Sequence, residues 1–348
     1  MKTHTLKLIS LAFGFVFLTS CSELLYTTVD VLRPAKVAFS PNVRNLLIVN
    51  NSVTQPSEYG HRTELISMKT KNVVIETDSL AIFALGSLTE GIEGKGFFNS
   101  VRLLPNSVNK SKLFAAVDPL EADSVSKLCS LYHADAIISL DRIKVNDDLS
   151  EYFSSQSNSF LGVLEARFES YWSIHYPDSS KLTQLQFKDT VYWESESYIR
   201  KKAISGLPNR EDALIDGALN VGKKTIDRFV PYWDKEDRYL YSSPNKYIID
   251  GMDSVHVKNW KSAIDSWEKA LDKSPSSWVK AQAANNIAVA YEIIGNIDKS
   301  LDYATQAYYN LGKSYFADYA VFMRLSNYIE DLNQRKMEIE KLKKQLGN

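Results

Sequence analysis

Hydrophobic and polar positions change their period three times along this chain. Leu46-Leu47-Ile48-Val49 is a short unbroken apolar run closed by Asn50-Asn51-Ser52, the pattern of a central strand buried on both faces. Residues 52–64 are polar and read as a loop. From Asp78 the spacing lengthens to that of a helix, with Ala81, Ala84, Leu85, Leu88 and Ile92 on one face, and Gly91, Gly94 and Gly96 are expected to stop it. Phe97 to Leu104 returns as a strand before Pro105. A second helix opens with Asp118 as cap, Pro119 in the first position and Glu121 completing a capping box, and buries Val125, Leu128, Cys129 and Tyr132. Ala134 to Leu140 then enters a further strand that runs toward Val145.

At Leu164 the period drops to two. Leu164, Ala166, Phe168, Trp172, Ile174 and Tyr176 share one face, and Leu185, Phe187, Val191 and Trp193 repeat the pattern after the turn Pro177-Asp178-Ser179-Ser180. This predicts a long antiparallel hairpin packed on one side. Asn209 caps a helix that turns Leu214, Ala218, Val221, Ile226 and Phe229 inward until Pro231. The order predicts an α+β or α/β domain, a mixed sheet with helices, over residues 43–233. The helix feeding the strand Ala134-Asp135-Ala136-Ile137-Ile138-Ser139-Leu140 resembles the small α/β domain of curli-type secretion lipoproteins, lipoprotein activators of cell-wall synthases and the Tol-system propeller protein, a likeness of pattern that implies no reaction.

Residues 234–243 are charged and then polar and are expected to be a linker. Beyond them the period is helical again. Tyr247, Gly251, Ala263, Trp267, Ala270 and Pro275 stand at the offsets of a tetratricopeptide unit, which they resemble; small residues there let two antiparallel helices approach while aromatic ones fill the gap. Ala284, Ala288, Tyr291, Gly295, Ala304 and Ala307 form a weaker second copy, with Ser300 in place of the usual alanine. Residues 317–346 predict one long helix with Leu325, Leu332, Ile339 and Leu346 along an apolar line and Glu338 facing water. It is expected to cap the two units rather than form a coiled coil, since Arg335 falls on the seam. Residues 244–348 are thus expected to be an all-α, tetratricopeptide-like domain of helical hairpins.

The amino-terminal pattern sets the compartment. Lys2 and Lys7, an apolar run from Leu8 to Leu18, then Thr19-Ser20-Cys21 make a charged n-region, a short h-region and a small-residue cleavage site. The run is shorter than a bilayer requires. Leu18-Thr19-Ser20-Cys21 resembles the lipobox of bacterial lipoproteins, which implies removal of residues 1–20 and diacylglycerol and N-acyl lipid on Cys21. Residues 21–42 are then anchor and tether, kept extended by Pro34 and Pro41. Removing Lys2 and Lys7 from 41 basic side chains leaves 39 against 42 acidic ones, a net charge of −3, which gives no reason to expect nucleic acid as a partner. Only Cys129 remains, as a buried thiol without a disulfide partner.

Chemistry-bearing patterns are sparse. His61, His133, His175 and His256 are not at metal-ligand spacing and are expected on the surface. Gly91-Ile92-Glu93-Gly94-Lys95-Gly96 follows a helix, not a strand, so it is not a phosphate loop. Asp147 with Asp148, and Glu194 with Glu196, are expected at solvated turn and strand positions. No Gly-x-Ser-x-Gly is present, and no cofactor or metal is expected beyond the lipid on Cys21. The whole resembles Gram-negative envelope lipoproteins that join an exported α/β domain to a tetratricopeptide-like tail. That implies an outer-membrane, periplasm-facing lipoprotein, with the cell surface as the other orientation, acting as a non-enzymatic scaffold for an envelope protein or peptide. An accessory subunit of secretion or cell-wall machinery, and a hydrolase with an unrecognised α/β-domain site, are the alternatives. The family's groove position falls on Asn286, with Asn285 beside it; both are expected to face solvent and hold a peptide backbone, flanked by Lys246 and Lys280.

Overall fold

The computed structural model describes residues 24–66, 69–111, 113–177, 179–315 and 317–347; Cys21 and the segment before it lie outside them. The chain forms two compact units, one made of the described residues up to Leu32 with Trp233–Glu340, the other of Arg33–Tyr232 with the residues after Glu340. The expected tether is instead a strand, β1 (Leu24–Arg33), with Val29 and Val31 buried and Tyr26, Thr28 and Asp30 exposed. Its period-two alternation decides the matter, because the two prolines stand beyond its end.

The second unit runs β2 (Asn45–Asn50), β3 (His61–Glu64), β4 (Lys71–Asn72), α1 (Leu80–Gly94), β5 (Ser100–Leu104), α2 (Ala122–Tyr132), β6 (Ala136–Ser154), β7 (Ser159–Tyr176), β8 (Ser179–Ser197), α3 (Arg200–Ser205) and α4 (Arg210–Phe229). β2 lies parallel between β5 and β6. β6 is long enough to pair with β2 along its first part and with β3, also in parallel, along its second. β7 and β8 add the antiparallel hairpin. Alternate residues of β2 serve two cores: Leu46 and Ile48 pack with α1 and α4, while Leu47 and Val49 join Ile137, Val125 and Cys129 under α2. Each fully buried aliphatic side chain contributes about 1.5–3 kcal/mol. Helix α1 continues past Gly91, where a Cβ would come within 2.0 Å of Ile226; that glycine marks the contact with α4 and not a stop. Helix α2 begins at Ala122 without a side-chain cap. Asp118 and Pro119 precede it, and the Asp118 carbonyl accepts from the Asn51 amide at 2.7 Å.

The other unit pairs β1 with β9 (Tyr232–Tyr241), so the expected linker is also a strand, with Arg238, Leu240 and Tyr241 buried. Five helices follow among the described residues: α5 (Lys246–His256), α6 (Trp260–Lys273), α7 (Ser277–Ile293), α8 (Ile297–Leu311) and α9 (Tyr319–Leu346). Asn245, Asn259, Ser276 and Asn296 cap the first four by accepting from backbone N–H groups. Gly251 admits the Trp267 ring, which a Cβ would meet at 2.2 Å, and the indole N–H donates to the Ile248 carbonyl at 3.3 Å. Ser300 is fully buried and donates to the Ala288 carbonyl at 2.8 Å. Val321, Leu325, Tyr328 and Leu332 of α9 pack into this core. Glu338, expected in water, is buried, and Leu346 is exposed. The inward line follows steps of three and four from Val321, which moves it off the heptad through Ile339 and Leu346. No helix among the described residues is long and apolar enough to cross a membrane.

Candidate functional site

The polar face of α7 holds an extended chain. Asn286 accepts from the Tyr241 N–H at 2.7 Å and donates to the Tyr241 carbonyl at 2.8 Å, and Asn285 donates to the Tyr239 carbonyl at 2.8 Å. In a strand the groups of residues i and i+2 point to one edge, so these amides close the edge of β9 opposite a neighbouring strand. The expected solvent-facing amides are therefore enclosed, with Asn286 0 % and Asn285 5 % exposed. The chain's own strand occupies the position expected for a partner. One turn earlier Gln282 is also buried, and among the described residues neither end of its amide has a hydrogen-bond partner. Lys246 is exposed at the start of α5, and Lys280 is half-buried in the first turn of α7.

Arg238 fastens β9 to the helices. Its Nε donates to Glu292 at 2.8 Å, a second guanidinium nitrogen donates to the other Glu292 oxygen at 3.1 Å, and Tyr328 donates to Glu292 at 3.0 Å. Burial works against the Arg238 charge, and the Glu292 carboxylate more than offsets it, so its pKa is raised. Burial pushes the Tyr328 hydroxyl well above its ordinary value, which keeps it a donor. Beside β9 lies a recess of about 170 Å³ whose wall includes Tyr239, Asn285, Arg324, Asn327 and Asp331. The Arg324 guanidinium lies 5.5 Å from the Tyr239 ring centre, and its Nε is buried without a hydrogen-bond partner among the described residues.

Two buried polar networks in the sheet-rich unit were not visible in the sequence. On the α2 face, Ser139 donates to Asp141 at 2.7 Å, Ser173 also donates to Asp141, and Asn51 donates to it at 2.9 Å. Ser139 Oγ is 3.0 Å from His175 Nε2. Because the single Ser139 proton goes to Asp141, the imidazole N–H donates to Ser139. This is the reverse of a nucleophile pair, in which the imidazole takes the hydroxyl proton. Burial raises the Asp141 pKa and lowers that of His175 to about 4. In the second network Asp147 bridges His61 and Arg210, and Arg210 continues to Thr63 at 2.9 Å and the Arg62 carbonyl at 2.7 Å. His61 and His175 are thus buried, not superficial, and Asp147 is an enclosed strand position, not a solvated turn. Pairing with side chains distant in sequence allows these polar groups inside. The only hint was Ser139 and Asp141 alternating with apolar residues along a central strand. A recess of about 390 Å³ in this unit is lined by Val117, Tyr171, Trp172 and Gln184 to Gln186. No cluster of His, Cys, Asp and Glu suited to a metal occurs among the described residues.

The geometry defines a mixed α+β chain with a sheet-rich part followed by a helical one. Residues 43–241, more than half of its length, match the family described as Domain of unknown function (DUF8603), and the chain belongs to that family. Residues 249–334 match a second model, Domain of unknown function (DUF6340). No curated protein matches the chain. A solved structure titled "Crystal structure of uncharacterized protein" is similar at 8% identity over 53% of this chain and 95% of its own, with a TM-score of 0.19.

Proposed function

We propose that this chain is a lipoprotein of the cell envelope, anchored through Cys21 in the outer membrane and facing the periplasm, that acts as a non-enzymatic scaffold for another envelope protein. In this reading α5–α6 and α7–α8 are two tetratricopeptide-like hairpins. The observation that carries the scaffold is the amide ladder of α7 gripping the backbone of β9. It is peptide recognition turned inward, and the recess beside the gripped strand is where a partner side chain enters. The enclosure of Ser139, Asp141 and Asp147, and the proton direction at Ser139, favour a scaffold over a hydrolase.

A photo-reactive phenylalanine at Asn327, in full-length lipidated protein in intact envelopes, tests this. A discrete adduct that disappears in the Arg324→Glu background is expected. No adduct from this position, or one indifferent to Arg324→Glu, contradicts the recess as the contact.

A further inference from the structure

The helical unit has one end that is both aromatic and basic, and the chain arrives there from Cys21. Tyr26 lies 4.8 Å from Tyr239 and Thr28 donates to Asp237. The two strands therefore run in opposite directions, and Leu24 comes level with Tyr241. Tyr241 packs against Trp278 at the start of α7, with ring centres 6.4 Å apart, and next to Arg324 near the start of α9. Lys246, which opens α5, follows Tyr241 by five residues. The first turns of α5, α7 and α9 thus share the end at which β1 begins.

At this end Tyr26 is 66 % exposed, and Tyr315 and Tyr319 are 102 % and 78 % exposed. Lys313 sits over the ring of Tyr309, 4.0 Å from its centre, and Lys246 is exposed. Of the acidic groups here, Asp318 caps α9 through the Val321 N–H at 2.8 Å and Asp237 accepts from Thr28 at 3.1 Å. Tyrosines with an apolar body and a polar tip, interspersed with lysines, are the composition that settles at a bilayer interface.

We infer that this end of the helical unit lies flat on the lipid headgroups, with Tyr26, Tyr315 and Tyr319 at the interface and Lys246 and Lys313 meeting lipid phosphates. The inference rests on the lipid anchor proposed above. What selects a bilayer over a protein is the length of chain outside the described residues: Leu24 follows Cys21 by three residues, which span at most about 10 Å. A body held that close to its anchor leaves no room for a partner between Tyr315 and Tyr319 and the membrane, whereas the recess wall at Asn327 and Asp331 lies about two to three turns further along α9.

Full-length lipidated protein, reconstituted in phosphatidylethanolamine and phosphatidylglycerol vesicles with brominated acyl chains, gives the test. A bimane fluorophore is placed at Tyr315→Cys or Tyr319→Cys, and at Met337→Cys as reference. Met337 is 56 % exposed on the same helix, about 27 Å further along it, and Cys129 is buried and does not compete for label. Quenching at 315 and 319 several-fold stronger than at 337 is expected. Equal, weak quenching at all three positions, in protein whose Cys21 lipid is verified by mass, overturns the surface and leaves the anchor standing. Absence of lipid on Cys21 overturns both. Shielding of the label at 319 from aqueous iodide without quenching by the acyl chains identifies a second copy of the chain on this end and also overturns the inference.

Discussion

Asn286 spends both ends of its amide on one backbone residue. Asn286→Ala leaves the Tyr241 N–H and carbonyl unpaired in a closed setting, at about 1–3 kcal/mol for each orphaned group. A thermal melt should therefore fall clearly below that of the parent protein. A variant that melts like the parent would show that β9 does not rest on α7 in solution. Gln282 poses the opposite case, because its enclosed amide lacks partners. Gln282→Leu is expected to hold or raise the melting temperature, and a marked drop would mean that the amide binds an internal water or a ligand. His175 adds a pH term. Its folded pKa of about 4 lies below the 6.5 of an ordinary histidine, so between those limits the unfolded chain binds more protons and stability falls as pH falls. Asp141, raised by burial, acts the other way: its contribution is present below 3.8 and lost as pH rises through its folded value. His175→Gln keeps a donor for Ser139 but cannot titrate, so from pH 6.5 to 4 the parent should lose melting temperature relative to the variant. Parallel curves would contradict the buried neutral imidazole.

At the scale of elements, what was legible was what local spacing demands. The hairpin of β7 and β8 and helix α4 with its Asn209 cap follow from side chains that must share a face within a few residues, and the pairing of Gly251 with Trp267, 16 residues apart on adjacent helices, follows from a small residue facing a large one. Strands β1 and β9 were not legible. The run Trp233-Asp234-Lys235-Glu236-Asp237-Arg238 reads as a solvated linker because nothing nearby announces that Arg238 meets Glu292, 54 residues on. The Ser139 and Asp147 networks escaped for the same reason. Tertiary pairing, not local pattern, makes those polar positions tolerable inside. Two consequences follow for the helices. Leu25 and Leu240 pack with the helical core, so a fragment of residues 244–348 alone is expected to lack a cooperative melt by circular dichroism; a sharp, high-temperature transition would show that β1 and β9 are dispensable. In the full chain, Arg238→Met leaves Glu292 buried and uncompensated, and its loss of stability should be on the order of 3–5 kcal/mol in denaturant titration. A change within 1 kcal/mol would mean that Glu292 finds another partner.

For the whole molecule, the sequence carries its sharpest expectation at Cys21, which lies outside the described residues, and says least about what either unit recognises. In the proposed arrangement Cys21 carries lipid, the folded body starts almost at once with β1, and the strand-gripping face of the scaffold is filled from within. The anchor matters most, because the compartment and the inferred membrane-facing end both depend on it. Metabolic labelling with an alkyne fatty acid, followed by membrane fractionation of the parent and the Cys21→Ser protein, decides whether the anchor exists. Label and membrane sedimentation are expected for the parent and neither for Cys21→Ser; label retained by Cys21→Ser, or a parent protein that is never labelled, removes the anchor.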